Sequence, residues 1–201
     1  MKKAKHHEIN QNSEEWLELR KGKFTASTFK NLFLSKTTAG YNNEIYRVVY
    51  ERLTGESPES FNNEYMDRGH ELEPFARNAY EMESFNTVLD GGFFELNDYV
   101  GCSPDGLVDE DGQVEIKCPK YSTHIKYLLD KKLPSEYLYQ VHGQLYVTGR
   151  EWSDFIAYHP QLEPQIIRVY PDNKIIEEIK TELEVAIGKV DEIIHKLKRN
   201  N

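Results

Sequence analysis

The segment SPDGLVDEDGQVEIKCPK, residues 103–120, constrains the fold more than any other part of the sequence. Its DEDG run at 109–112 is a tight-turn signal between two short β-rich runs, and this pattern predicts a β-hairpin. Alternate residues of a strand point to the same side, so Glu115 and Lys117 share one face of the second strand. Asp105 returns opposite Glu115 across the turn. The pattern therefore predicts that two carboxylates and one lysine side chain lie close together on the hairpin.

This group of side chains suits a divalent metal ion and phosphate chemistry. Mg²⁺ and Mn²⁺ take oxygen ligands and are usually bound by one or two carboxylates together with water and substrate phosphates. Asp105 and Glu115 supply such ligands, and the Lys117 ammonium group can orient a water molecule or stabilise negative charge on a phosphate. The alternative is an exposed cross-strand charge array that contributes well under ~1 kcal/mol to stability. The other acids of the segment are interpreted as solvated turn residues: Asp109, Glu110 and Asp111.

The composition limits the class of protein. A chain of 201 residues is expected to form one domain, residues 1–201, because either half alone would have a marginal core. The net charge of −9 argues against a protein that coats nucleic acid through a broad basic surface, although residues 1–36 hold eight Lys and Arg against four Glu. The sequence resembles neither a signal peptide nor a membrane span, so a cytoplasmic location is expected.

The two cysteines, Cys102 and Cys118, are too few for a disulfide scaffold or a cysteine-based zinc site. The register that places Asp105 opposite Glu115 would also place the two cysteines opposite each other, so a cross-strand disulfide is conceivable. Free thiols are the expected state in a cytoplasmic protein.

The rest of the sequence changes between helical and β-rich patterns. Apolar spacing and capping residues predict that the first 85 residues are mostly helix, with a kink or break at Gly69 and Pro74. After residue 120 the pattern predicts two helices, two strands and a long final helix whose apolar stripe runs from Ile176 to Leu197. This order predicts an α/β fold with a mixed sheet and helices on both sides.

The hairpin segment resembles the core of the PD-(D/E)xK nucleases, specifically the lambda exonuclease or YqaJ-type viral recombinase family. The matching features are SPDG, the spacing of ten residues from Asp105 to Glu115, and VEIKCP. The resemblance extends over roughly residues 13–160 and implies a restriction-endonuclease-like core with a central mixed β-sheet flanked by helices. The chain is shorter after residue 160 than the family's best-known member, so the C-terminal features of that member are not carried over.

The N-terminal stretch EEWLELRKGKFTAST resembles a family motif that binds the 5′-phosphate end of DNA. The motif maps onto Arg20 and Ser27. Both positions suit a phosphate ligand, because guanidinium groups bind phosphate oxygens bidentately and helix N-termini favour anions. The alternatives are an ordinary surface charge for Arg20 and a helix cap for Ser27.

Two later stretches resemble helices of the family. RGHELEPFAR resembles the G-x-x-x-E helix, whose glutamate lies near the metal ions, and this maps onto Glu73. Glu71 is the neighbouring competitor, and because residues two apart on a helix point in different directions, Glu71 and Glu73 should not both serve the same ion. His70 is interpreted as a packing or surface histidine. EYLYQVHGQLYVTG resembles the helix that carries a glutamine and an aromatic residue beside the active site, here Gln140 and Tyr137. A purely structural polar role is the alternative for Gln140.

The resemblance implies a Mg²⁺-dependent 5′-to-3′ exonuclease, with Mn²⁺ as the alternative metal, that acts on ends of linear double-stranded DNA and leaves 3′ single-stranded overhangs for phage-type recombination. Asp105, Glu115, Glu73 and the backbone carbonyl of Ile116 would hold metal, and Lys117 would position the attacking water. A homotrimeric ring and a single-strand annealing partner are also implied.

Two other functions remain as alternatives. The first is a PD-(D/E)xK endonuclease or a Cas4-like single-strand nuclease, although two cysteines cannot supply the four ligands of an iron–sulfur cluster. The second is a DNA-binding module that has lost catalysis. The presence of the Asp, Glu and Lys of the catalytic motif argues against this alternative.

Overall fold

The computed structural model describes residues 4–58 and 64–199, without the side chains of residues 64–67 and 70. The interpretation of the His70 side chain therefore lies outside the described part. The α-helices are α1 (Glu14–Arg20), α2 (Ala39–Thr54), α3 (Glu64–Ser84), α4 (Tyr121–Asp130), α5 (Leu138–Thr148) and α6 (Asn173–Arg199). Two 3-10 helices cover Ala26–Phe33 and Ser135–Tyr137. The strands are β1 (Lys5–His7), β2 (Phe24–Thr25), β3 (Val88–Asp90), β4 (Phe93–Asn97), β5 (Val100–Cys102), β6 (Gly106–Val108), β7 (Gly112–Lys117), β8 (Trp152–Ala157) and β9 (Gln165–Val169).

The strands form two sheets, with orders β1-β4-β5-β2 and β3-β6-β7-β8-β9. In the five-stranded sheet, β7 pairs antiparallel with β6 and parallel with β8, so the sheet is mixed. The predicted α/β class with a mixed sheet is confirmed. The second sheet was not expected, because β1 and β2 span only three and two residues and are too short to carry a strand periodicity.

The five-stranded sheet is covered by helices on both faces. One face packs against α3 in a cluster that includes Ala76, Tyr80, Val114, Ile116, Trp152 and Ile156. The other face packs against α4 and α5 in a cluster that includes Tyr127, Val141, Leu145, Phe155 and Ala157. Because side chains alternate along β7, the burial of Ile116 towards α3 places Glu115 and Lys117 towards α5.

The predicted hairpin is formed by β6 and β7. Its register pairs Gly106 with Val114 and Val108 with Gly112, so Asp105, one residue before β6, lies opposite Glu115 as predicted. Gly112 is required at the start of β7, since a Cβ there would lie 2.0 Å from the Trp152 ring.

Of the kink or break predicted at Gly69 and Pro74, the break is wrong. Helix α3 is continuous from Glu64 to Ser84 with Pro74 inside it. A proline in a helix interior costs about 3 kcal/mol or more, because a hydrogen bond is lost and the ring crowds the preceding turn. Ala76 and Tyr80, both 0% exposed, lie on the same helix, and their packing against the sheet offsets that cost.

The two cysteines are free. Cys102 ends β5 and pairs with Phe94 in the four-stranded sheet, whereas Cys118 follows β7 in the other sheet. The chain passes from one sheet to the other at residues 103–105, so the hairpin register does not extend back to Cys102.

The apolar stripe of α6 is used mainly for core packing. Ile176, Ile179, Leu183 and Val190 are buried, whereas Leu197 at the end of the stripe is 46% exposed. This helix packs with α2, α5 and the four-stranded sheet in the largest hydrophobic cluster. Among the helices in the described ranges, none combines the length and the apolar character needed to cross a bilayer.

Candidate active site

Glu115 and Lys117 lie together on the α5 side of β7. Glu115 is 1% exposed, and the Lys117 side chain is 27% exposed. The Lys117 ammonium donates a hydrogen bond to Glu115 Oε1. Burial lowers the pKa of Lys117, but the negative charges of Glu115 and Asp105 outweigh it and raise that pKa above its usual value. The predicted pairing of acid and amine on one strand face is therefore present.

Asp105 is tied to the same strand from the neighbouring end of β6. Its Oδ2 accepts a hydrogen bond from the Ile116 N–H at 2.6 Å, and its own N–H donates to the Val114 carbonyl at 3.1 Å. In a strand the N–H and C=O of one residue point to the same side, so the Ile116 carbonyl is directed to the edge at which Asp105 lies. Burial, and next the negative charge of Glu115, hold the pKa of Asp105 well above its usual range.

Two glutamines of α5 hold Glu115 from the opposite side. Gln140 Nε2 donates to Glu115 Oε1, and Gln144 Nε2 donates to Glu115 Oε2 at 2.6 Å. The placement of Gln140 beside the carboxylate is as expected. Gln144 was missed by the sequence interpretation, although its position four residues after Gln140, and so on the same helix face, is the signal that could have indicated it. Gln144 is 1% exposed.

Glu73 and Glu71 differ in their surroundings on α3. Glu73 is partly buried and lines a pocket together with Arg77, and its negative charge is one cause of the raised pKa of Asp105. Glu71 is exposed. The structure therefore brings Glu73, rather than Glu71, into the electrostatic environment of Asp105.

The donor set fits a hard divalent cation. Across residues 4–58 and 64–199, no three or more His, Cys, Asp or Glu side chains are grouped so that they could hold a metal ion by themselves. Two carboxylates that share a site repel each other, and a bound cation removes that repulsion. The pair Asp105 and Glu115 matches the one or two carboxylates that bind Mg²⁺ when water and substrate phosphates complete the shell.

A second group of residues surrounds Arg20 at the end of α1. The Arg20 guanidinium lies 4.1 Å from the centroid of the Trp16 ring and donates to Thr25 Oγ1 at 3.4 Å. The Thr25 and Ser27 hydroxyls are in turn 3.2 Å apart, which links Ser27, an exposed residue, to Arg20 through Thr25. The structure thus brings the two predicted phosphate-binding residues to one place, at the start of the 3-10 helix Ala26–Phe33.

A pocket of about 410 Å³ opens beside Arg20. Its lining comprises Leu17, Arg20, Lys21, Thr25, Thr28, Arg47, Glu51, Ser57 and Pro58. Arg47 is paired with Glu44 and Glu51, both at 2.7 Å, whereas Arg20 forms no salt bridge with the residues that the structure describes. Burial, and next the positive charge of Arg47, lower the pKa of Arg20 to about 10. A cation in this setting favours an anionic ligand.

A family model for the YqaJ-like viral recombinase domain matches residues 15–151, which include both of these sites. The chain belongs to this family. A search of curated proteins found no significant match.

The YqaJ-like fold extends beyond the matched residues. The structure of LHK-Exo in complex with dAMP is 36% identical in sequence, with a TM-score of 0.87, and the match covers 94% of this chain and 97% of that one. A second structure of LHK-Exo, an alkaline exonuclease from Laribacter hongkongensis, gives a TM-score of 0.86 at the same identity and coverage. A phage-related exonuclease from Haemophilus somnus has the same fold, with 17% identity, a TM-score of 0.68, and coverage of 87% of this chain and 96% of that one. The family and the LHK-Exo structures support a phage-type exonuclease.

Proposed function

We propose that this protein is a Mg²⁺-dependent 5′-to-3′ exonuclease that acts on the ends of linear double-stranded DNA and leaves 3′ single-stranded overhangs for phage-type recombination. The observation that carries this proposal is the convergence of Asp105, Glu115 and Lys117 at the end of one hairpin. Family membership and the LHK-Exo fold agree with it.

In this proposal Asp105 and Glu115 hold Mg²⁺, or Mn²⁺ in its place, with the Ile116 carbonyl and Glu73 as further ligands. The bound ion would lower the pKa of a water molecule and stabilise negative charge on the scissile phosphate. Lys117 supplies a positive charge and three N–H donors beside Glu115, which suit it to position the attacking water.

The α5 glutamines keep Glu115 in place during this chemistry. Gln140 and Gln144 donate to different oxygens of the carboxylate, so both the position and the plane of the group are fixed. Such preorganisation raises the rate because the reacting groups need not be rearranged in the transition state.

The Arg20 pocket is the basis for proposing that cleavage runs from the 5′ end towards the 3′ end. Arg20, with Ser27 reached through Thr25, would bind the 5′-terminal phosphate, and binding at a terminus rather than along the duplex makes the enzyme an exonuclease. A homotrimeric ring, a cytoplasmic location and a single-strand annealing partner belong to the same proposal, from the family resemblance.

The decisive experiment is digestion of linear duplex DNA with 5′-phosphate or 5′-hydroxyl ends, in Mg²⁺ or in EDTA. We expect strand-specific shortening from the 5′ end that requires Mg²⁺ and is faster on phosphorylated ends, while covalently closed circles stay intact. Lys117→Ala is expected to abolish cleavage, whereas Lys126→Ala, a change at an exposed lysine of α4, is the matched control and should cleave at the wild-type rate.

Each alternative has its own outcome in this assay. Cutting of closed circles would favour an endonuclease, and degradation restricted to single strands would favour a Cas4-like nuclease. DNA binding without cleavage in either Mg²⁺ or Mn²⁺ would favour a module that has lost catalysis.

A further inference from the structure

The turn that carries Asp105 is held by side chains from outside the hairpin. Residues 103–105 connect β5 to β6 and belong to neither strand. Gln11 Nε2 donates to the Pro104 carbonyl at 2.8 Å, and Arg77 Nη2 donates to the Asp105 carbonyl at 2.9 Å. Gln11 lies in the segment between β1 and α1, and Arg77 lies on α3. Two successive carbonyl oxygens are therefore fixed by two separate parts of the chain.

The Arg77 donor and the Pro104 acceptor each have a further contact. Arg77 Nη1 donates to Asp90 Oδ1 at 2.8 Å, so the guanidinium spans from β3 to the Asp105 turn. The Pro104 carbonyl is also approached closely by Gly91, where a Cβ would lie only 1.8 Å from the oxygen. The turn is thus restrained by hydrogen bonds and by steric contact with the β3–β4 connection.

These contacts oppose the electrostatic repulsion between the carboxylates of Asp105 and Glu115. Asp105 and Glu115 are both carboxylates, and like charges at close range repel each other. Glu115 is fixed within β7, between Lys117 and the α5 glutamines. Asp105 precedes its strand, so it is the carboxylate that repulsion would displace. Donors on the Pro104 and Asp105 carbonyls hold the backbone of this turn and so limit the displacement.

We propose that Gln11 and Arg77 are positioning residues that fix Asp105 relative to Glu115 and thereby set the affinity of the site for its divalent ion. This inference rests on the proposed metal-dependent function. Gln11 precedes residues 15–151, which the family model matches, so part of the positioning comes from outside the matched domain. Metal sites are sensitive to such contacts, because groups that orient the ligands typically change metal affinity by about 10- to 100-fold.

The test uses the full-length protein and Mn²⁺ as the probe ion. Mn²⁺ binding is measured by electron paramagnetic resonance for wild type, Gln11→Leu and Arg77→Met, and the Mg²⁺ concentration for half-maximal DNA cleavage is measured in parallel. We expect the Mn²⁺ dissociation constant to rise about tenfold or more in each variant. We also expect the half-maximal Mg²⁺ concentration to rise in step, with the cleavage rate largely restored at saturating Mg²⁺.

Arg150→Met is the matched control. Arg150 Nη1 also donates to backbone carbonyls of the hairpin, those of Val108 and Asp109, but at the end away from Asp105. Its loss is expected to lower the unfolding temperature without changing Mn²⁺ affinity. If Arg77→Met unfolds, Asp90→Ala, which removes only the partner of Arg77, and Gln11→Leu decide the question.

The outcomes separate the two proposals. If wild type binds no Mn²⁺ and cleaves DNA in EDTA, the proposed metal-dependent function is wrong. If wild type requires metal but the folded Gln11 and Arg77 or Asp90 variants bind Mn²⁺ with wild-type affinity, the positioning role is wrong. A loss of Mn²⁺ affinity in Arg150→Met as large as in Arg77→Met would also overturn it, since hairpin stability alone would then account for the effect.

Discussion

Glu115 shows what a buried carboxylate in this fold requires. It is 1% exposed, yet both of its oxygens accept hydrogen bonds, one from Lys117 and Gln140 and the other from Gln144. Removing an ionised carboxylate from water costs several kcal/mol unless such donors replace the water. The groups that make burial of Glu115 tolerable also fix its orientation, so in the proposed nuclease the glutamines would serve both stability and chemistry.

Gln144→Leu is expected to slow cleavage at saturating Mg²⁺ by about tenfold, because one buried oxygen of Glu115 loses its donor, which costs about 1–3 kcal/mol. Single-turnover cleavage of linear duplex measures the rate, and urea unfolding measures the stability. Gln113→Leu is the matched control: Gln113 is also buried on β7, but its Oε1 accepts from Thr148. Equal slowing in both variants would show that packing, and not the bond to Glu115, is responsible.

Arg20→Met is expected to remove the preference for 5′-phosphorylated ends, because a charge-assisted hydrogen bond to the phosphate, worth about 1.5–3 kcal/mol, is lost. Cleavage of 5′-hydroxyl ends should stay within about twofold of the wild-type rate. The measurement is the ratio of initial rates on the two substrates. Arg52→Met is the control, since Arg52 likewise stacks on an aromatic ring, that of Tyr99 at 3.7 Å, but does not line the pocket. An unchanged ratio in Arg20→Met would exclude this pocket as the phosphate site.

The residues that could be predicted from sequence are those whose partners are close in the chain. The positions of Glu115 and Lys117 follow from strand alternation, and that of Asp105 follows from the turn signal between them. Gln11 and Arg77 could not be predicted in the same way. Their partner carbonyls are 93 and 28 residues away, and neither local periodicity nor residue type indicates such a contact.

At the scale of elements, α3 is joined to the five-stranded sheet by a buried polar network. Asp154 on β8 is 1% exposed and accepts two hydrogen bonds from Arg168 on β9, both at 2.9 Å. Tyr80 of α3 donates its hydroxyl to the same carboxylate at 2.8 Å. The network lies on the helix that also carries Glu73 and Arg77, so it holds these residues in place relative to the hairpin. The network could not be predicted from sequence, because Tyr80 and Asp154 are 74 residues apart in the chain.

Tyr80→Phe is expected to lower the free energy of unfolding by about 1 kcal/mol, because one hydrogen bond to Asp154 is lost while Arg168 still pairs with the carboxylate. Urea unfolding followed by circular dichroism measures the change, and the dependence on urea should keep its slope. Tyr46→Phe is the control, since Tyr46 is 56% exposed and its hydroxyl contributes little. No difference between the two variants would mean that the Tyr80 hydroxyl adds nothing to the network.

At the scale of the whole molecule, the formal charge of −9 opposes binding along duplex DNA. Arg20, which forms no salt bridge with the described residues, supplies a local positive charge beside its pocket, so we expect the protein to recognise DNA ends rather than coat the duplex. The apolar stripe of α6 offers little surface for contacts between copies of the chain, because Ile176, Ile179, Leu183 and Val190 are buried in the core. In the proposed ring, contacts between copies would therefore lie mainly on other surfaces.

The predicted homotrimer is tested by light scattering coupled to size exclusion, which should give about three times the 23.6 kDa of one chain over a range of concentrations. A ring can be threaded only from a DNA end. A closed circular plasmid should therefore neither compete for binding nor be degraded, whereas the same plasmid, once linearised, should compete for binding and be degraded. A single-chain mass together with normal digestion of linear DNA would contradict the ring and leave the nuclease proposal standing, because the hairpin carboxylates, Lys117 and the Arg20 pocket all lie within one chain.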